Sequence, residues 1–210
     1  MYKAILFDFD GTIADTIPLA VEAFRRAVIH HRGETLSEPE IRQHFGPAEP
    51  GVMLALVPEA PVESMETYFR HYEDLHQHLR SPFTGLAELL GELRTKGVKL
   101  GVVTGKSSVS LEISLRYIGL EKAFDALEAG CDDGPCKPEG ILRMLKTWNI
   151  PTTEALYVGD SVHDVYAARE VGIPVASVSW AEPATYTSLK EAAPDFLFST
   201  VEEFREWALI

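Results

Sequence analysis

Two carboxylates stand two residues apart in Asp8-Phe9-Asp10-Gly11-Thr12, directly after the apolar run Ala4-Ile5-Leu6-Phe7. Alternate residues of an extended chain project to the same side. Carboxylates held side by side repel, so the arrangement is costly unless a cation lies between or beside them. Mg²⁺ is a hard cation that takes oxygen ligands and suits such a pair. Gly11 admits backbone conformations that other residues resist. Taken alone, the pentapeptide also fits a strand ending in a polar turn, with Asp8 or Asp10 as a helix cap.

Three more polar segments follow: Thr104-Gly105-Lys106, Cys136-Lys137-Pro138 and Gly159-Asp160-Ser161-Val162-His163-Asp164. A hydroxyl and exposed backbone N–H groups at Thr104-Gly105 suit phosphate oxygens. The Gly105-Lys106-Ser107 stretch is not a P-loop, because Leu100 stands where that pattern needs a glycine. A lysine held in a turn before Pro138 can neutralise a phosphate or a carboxylate. Asp160 and Asp164 lie four apart, on one helical face. Capping accounts for Asp160 or Thr104 singly; paired with Asp8 and Asp10, the two later aspartates read as a metal site.

The elements that must position these residues alternate. Helical apolar spacing at Leu86–Leu93, Val109–Ile118, Ile141–Trp148 and Val162–Val171 is interleaved with strand-like runs at 98–103, 124–129, 155–158, 175–178 and 196–198, before a C-terminal helix. This rhythm predicts an α/β fold: a Rossmann-like parallel sheet core covered by helices on both faces. The four polar segments then fall at strand C-terminal ends, where open α/β sheets bind ligands. Residues 16–81 break the rhythm. Ile17, Val21, Phe24 and Val28 share one helical face, and Met65, Phe69, Tyr72, His76 and Leu79 another. The spacing predicts an inserted helical cap domain over 16–81 and a core domain of 1–15 with 82–210. Six of the seven histidines fall in the cap, where helical-face spacing accounts for most of them. Arg42 to Gly46, with Pro47, is the expected loop toward the site.

The 210 residues hold one large domain or a domain with an insertion. No apolar run approaches the roughly 18 residues of a membrane span. The N-terminus lacks a signal-peptide pattern, which points to the cytoplasm. The net charge of −13 opposes nucleic acid and anionic membranes. Cys131 and Cys136 are too few for a structural zinc site and read as free thiols near a loop, with a regulatory disulfide as the less favoured alternative.

Together the four segments resemble the haloacid dehalogenase-like (HAD) hydrolase superfamily. Asp8 to Thr12 match its Asp-x-Asp-x-Thr motif, Thr104 its strand-end hydroxyl, Lys137 its lysine, and Asp160 with Asp164 its Gly-Asp-x-x-x-Asp. The helical insertion resembles the cap of the phosphoglycolate phosphatase and β-phosphoglucomutase branch. The resemblance implies that Asp8 attacks phosphorus and that Asp10 is the acid and then the base. It implies Mg²⁺ at Asp8, the Asp10 carbonyl and Asp160, with Asp164 orienting ligands. Thr104 and Gly105 would hold phosphate oxygens, and Lys137 would bind both Asp8 and phosphate. Asp10 favours phosphoryl transfer over dehalogenation. A cap lysine for Schiff-base chemistry is missing, since no lysine lies between Lys3 and Lys96. Cys136 before Lys137 and Ala181 after Trp180 depart from the usual phosphoglycolate phosphatase pattern. The expectation is a Mg²⁺-dependent phosphatase of a small phosphorylated metabolite, phosphoglycolate first. Alternatives are a pyrophosphatase, a β-phosphoglucomutase-like sugar-phosphate mutase and, last, a non-catalytic phospho-ligand binder.

Overall fold

A computed structural model describes residues 2–210. Six parallel strands form one sheet: β1 (Ala4–Phe7), β2 (Lys99–Val103), β3 (Ala126–Glu128), β4 (Ala155–Gly159), β5 (Val175–Val178) and β6 (Phe196–Phe198), in the order β3-β2-β1-β4-β5-β6. This is the doubly wound order of a Rossmann-like sheet, in which chain direction across the sheet reverses beside β1.

β1 is buried throughout, and its side chains divide between two layers. Ile5 and Phe7 pack toward α5 (Leu86–Thr95), α6 (Ser108–Ile118) and α10 (Val201–Ala208). Ala4 and Leu6 pack toward α7 (Lys137–Trp148) and α8 (Val162–Val171). A strand apolar on both faces belongs in the middle of such a sandwich. Each fully buried Phe or Leu there contributes about 1.5–3 kcal/mol. Phe7 pairs with Val102 on one side and Val158 on the other. That register sets the ends of β1, β2 and β4 in one row.

Between β1 and α5 the chain inserts a helical layer of α1 (Ile17–Arg32), α2 (Glu38–Arg42), α3 (Glu49–Leu56) and α4 (Pro61–Leu75). Val21, Phe24, Val28, Met53, Tyr68 and Tyr72 give it a hydrophobic centre of its own, joined by Ile113 from α6. The predicted α4 face runs past its helix. His76 falls in a short 3-10 turn, and Leu79 beyond it is extended at φ −116°. One helix had no sequence signal: α9 (Tyr186–Ala192) buries only Leu189 and Ala192, too few to mark a stripe. Among the described residues no helix is long and apolar enough to cross a membrane.

The expectation of free thiols is overturned. Cys131 and Cys136 form a disulfide with Cα atoms 6.0 Å apart. The loop folds back on itself through an antiparallel bridge between Cys131 and Gly134, which brings the two side chains together.

Candidate active site

Asp8 follows β1 immediately, and its N–H donates to the Val158 carbonyl at 2.8 Å. The sheet ladder thus carries Asp8 up to the end of β4, where Asp160 follows Gly159. Carboxylate oxygens of Asp8, Asp160 and Asp164 all lie within 4.8 Å of one another. Gly11 makes room for this meeting: its φ is +76°, and a Cβ there would stand 2.1 Å from Asp160 Oδ2. Both the turn and the space therefore require glycine. At Gly159 a Cβ would lie 2.4 Å from the Asp164 carboxyl carbon, so the end of β4 must also be bare.

Asp164 is fully buried and has partners already. It accepts from Lys137 Nζ at 2.6 Å, Tyr157 OH at 3.1 Å and the Ser161 N–H at 3.0 Å. Ser161, not Asp160, caps α8, in a reciprocal box with Asp164. Asp160 is thereby released from the capping role that its sequence position also allowed. Its recorded side-chain partner is the Thr12 hydroxyl, a long 3.4 Å away.

Lys137 is the first residue of α7, fixed by Pro138 in the opening turn. Its Nζ also lies 3.0 Å from Asp8 Oδ2. Burial opposes its charge, but Asp164 and Asp8 outweigh burial and hold the ammonium charged well past the usual lysine range. Burial pushes Asp8 up to about 6 against the pull of Lys137, with Asp164 and Asp10 adding repulsion. Burial, then Asp8 and Asp164, drive Asp160 well above the carboxylate range. Burial acts on Asp164 too, yet Lys137 and the Ser161 hydrogen bonds leave it low. Three carboxylates facing one ammonium leave an excess of buried negative charge. An oxygen-seeking divalent cation between Asp8 and Asp160 would relieve it, so the donor set fits Mg²⁺.

Asp10 points elsewhere. Its carboxylate takes the Thr16 hydroxyl and lies 3.1 Å from Lys106 Nζ, outside the three-carboxylate cluster. Of the four aspartates assigned to metal, three converge by side chain; the resemblance gave Asp10 only a carbonyl role. Thr104 is buried at the end of β2, and its Oγ1 accepts from the Lys106 N–H at 3.3 Å. Ser107, rather than Thr104, caps α6.

Asp8, Asp10, Thr104, Gly105 and Lys137 all line one cavity of about 610 Å³, within the range of small-molecule sites. Phe24, Arg42, Phe45, Gly46 and Pro47, all from the helical insertion, line the same cavity, as the Arg42-to-Gly46 loop was expected to. None of the six histidines of the helical insertion is among the residues lining it. His76, fully buried, is tied to the Tyr72 carbonyl and the Ser114 hydroxyl instead. Two residues were missed: Lys106, set aside with the rejected P-loop, and Glu49. Lys106 was within reach of sequence reasoning, two residues past Thr104. Glu49 carried no signal.

Residues 5–178 match the family model of the haloacid dehalogenase-like hydrolases. The chain belongs to this family. It is 32% identical over 195 residues to a Caldanaerobacter subterraneus protein named "Putative pyrophosphatase PpaX", covering 92% of this chain and 88% of that one. The fold matches a predicted phosphoglycolate phosphatase from Haemophilus somnus with a TM-score of 0.77 at 19% identity, over 99% of this chain and 98% of that one. It also matches a Rhodobacter sphaeroides CbbY in complex with xylulose-1,5-bisphosphate, with a TM-score of 0.73 at 23% identity, over 85% and 86% of the two chains.

Proposed function

We propose that this HAD hydrolase is a Mg²⁺-dependent phosphatase that releases inorganic phosphate from a small, phosphoglycolate-like metabolite through an aspartyl-phosphate. The convergence of Asp160, Asp164 and Lys137 on Asp8, which lines the cavity with Lys137, carries this reading. Asp8 attacks phosphorus; as the new O–P bond forms, the bond to the leaving oxygen breaks, and Asp10 gives that oxygen its proton. Asp10 then takes a proton from water. The water oxygen attacks phosphorus, the Asp8–phosphate bond breaks, and inorganic phosphate leaves. Thr104 and the Gly105 N–H hold phosphate oxygens, and Lys137 keeps Asp8 aimed and its charge offset. Asp8 and Asp160 would hold Mg²⁺, with Asp164 beside them; when bound, the ion supplies charge stabilisation for the transferring group.

Arg42 supports a substrate with a second anionic group. Its guanidinium pairs with Glu38 at 2.7 Å, but its buried Nε–H has no partner in the protein. Arg42 lines the cavity, so a carboxylate or a second phosphate at that end would meet the guanidinium. Pyrophosphate meets the same requirement, and the name of the Caldanaerobacter relative favours it as the second reading. Residues 16–81 serve in this proposal as the cap domain over a core of 1–15 and 82–210. A cytoplasmic location goes with the proposal; the disulfide speaks against it, since reducing compartments keep thiols free.

The test is phosphate release from a panel of small monoesters and pyrophosphate with Mg²⁺, repeated in excess EDTA and with Asp160→Asn. Release that peaks on one substrate and disappears with EDTA supports the proposal. Full turnover in EDTA removes the metal from it. Isomerisation of a sugar phosphate without net release replaces it with a mutase.

A further inference from the structure

Glu49 belongs to the cap, yet it is only 6% exposed and its carboxylate lies against the core. One oxygen accepts the Ser107 N–H at 2.5 Å. The other lies 3.4 Å from Lys106 Nζ. The same Nζ is 3.1 Å from Asp10 Oδ1 and 4.6 Å above the Tyr72 ring. Glu49 therefore touches the core at the loop that follows Thr104. The residue before it is tied down as well, since the Ala48 N–H donates to the Cys131 carbonyl at 2.8 Å. The start of α3 thus rests on both core loops that line the cavity.

We propose that Glu49 is a cap-borne positioning residue: acting through Lys106, it fixes the Asp10 carboxylate where it can serve the leaving oxygen. This rests on the phosphatase reading above. The lysine stem is long and rotatable, and only its charged end meets Asp10. Glu49 anchors that end from the cap side with a charge-assisted contact. Without the anchor the ammonium shifts, and Asp10 shifts with it. A displacement of about 1 Å in a reacting group costs on the order of 10²-fold in rate. The acid step is therefore complete only when the start of α3 is seated on the core.

The step affected is proton delivery to the leaving oxygen as the P–O bond breaks. An alkoxide needs that proton, whereas nitrophenolate leaves without it. The ratio kcat/KM reports only steps through that bond cleavage. Glu49→Gln keeps a neutral acceptor for the Ser107 N–H and removes the charge from Lys106. The expected result is a kcat/KM loss about tenfold or more greater on glycerol phosphate than on p-nitrophenyl phosphate. Lys106→Met should give the same split, and the double variant no further split, because the two act in series. Equal losses on both esters would make Glu49 merely structural and overturn the proposal, as would no loss on either. If the unaltered protein hydrolyses neither ester nor pyrophosphate, the phosphatase reading falls and takes this inference with it.

Discussion

Lys137 lies 2.6 Å from Asp164 and 3.0 Å from Asp8; Lys106 lies 3.1 Å from Asp10 and 3.4 Å from Glu49. Each is a buried ammonium between two carboxylates. The surroundings differ. Around Lys137 a third carboxylate, Asp160, tips the balance toward negative charge. Around Lys106 the additional partners are neutral: the Thr16 hydroxyl on Asp10, the Ser107 N–H on Glu49 and the Tyr72 ring. The first cluster is under-compensated and suits a cation. The second is closed on itself and joins cap to core.

Replacing Asp8 separates the two clusters most sharply. Asp8→Asn should reduce phosphate release on the order of 10⁴-fold or more, since the amide cannot supply the attacking oxygen. The fold should survive, because the change removes a charge whose burial outweighs the pull of Lys137. Retained turnover would remove Asp8 as the nucleophile. At the other cluster the balance of effects reverses. Lys106→Met leaves Asp10 and the buried Glu49 without a counter-charge and should cost about 3 kcal/mol of stability. The urea midpoint reads this directly, and an unchanged midpoint would show that the ion pair does not hold cap to core.

A third comparison concerns how each lysine is delivered. Lys106 follows the end of a central strand, whereas Lys137 follows a loop clipped by the Cys131–Cys136 disulfide, five residues apart in sequence. Closing so short a loop stabilises by about 2 kcal/mol in the chain-entropy picture. Cys131→Ser with Cys136→Ser should therefore lower the unfolding free energy measured in urea by that amount under oxidising conditions. Under reducing conditions native and variant chains should converge. No difference in either condition would mean that the bond does not form in solution.

The first cluster was legible in the sequence because strand ends announce themselves. Apolar runs stop, glycine and aspartate follow, and an α/β sheet gathers such ends on one edge. The second was not. Glu49 is 57 residues from Lys106 and sits in a different layer. Nothing in Ala48-Glu49-Pro50 distinguishes it from an exposed acidic first turn. The capping residues show the same limit on a smaller scale. Asp160 and Thr104 were each one plausible cap, and backbone geometry gave the task to Ser161 and Ser107. The paired cysteines were visible, but their pairing depends on the bridge at Gly134, which spacing does not encode. The helix at Tyr186–Ala192 escaped because few of its side chains are buried.

The smallest expected effect distinguishes the clusters by pH. Folding raises Asp8 from the ordinary 3.8 to about 6 through burial. Below 3.8 the carboxyl is protonated in both folded and unfolded chains, and its burial costs nothing extra. As pH rises toward 6 the unfolded chain ionises first, so the folded state loses relative stability; above 6 the full penalty is present. Metal-free protein should therefore become more stable between pH 7 and pH 5, by about 1–2 kcal/mol from Asp8. Asp160, shifted the same way, adds to the gain. Asp164, held low, counts against stability only below the ordinary carboxyl range. Urea midpoints in EDTA at the two pH values measure the sum. Saturating Mg²⁺ should erase the gain, because the cation then offsets the charges that protonation would otherwise remove. In Asp8→Asn the gain should shrink to the Asp160 share, while Glu49→Gln should leave it untouched. A gain that responds to Glu49 instead would mean that the two clusters titrate as one.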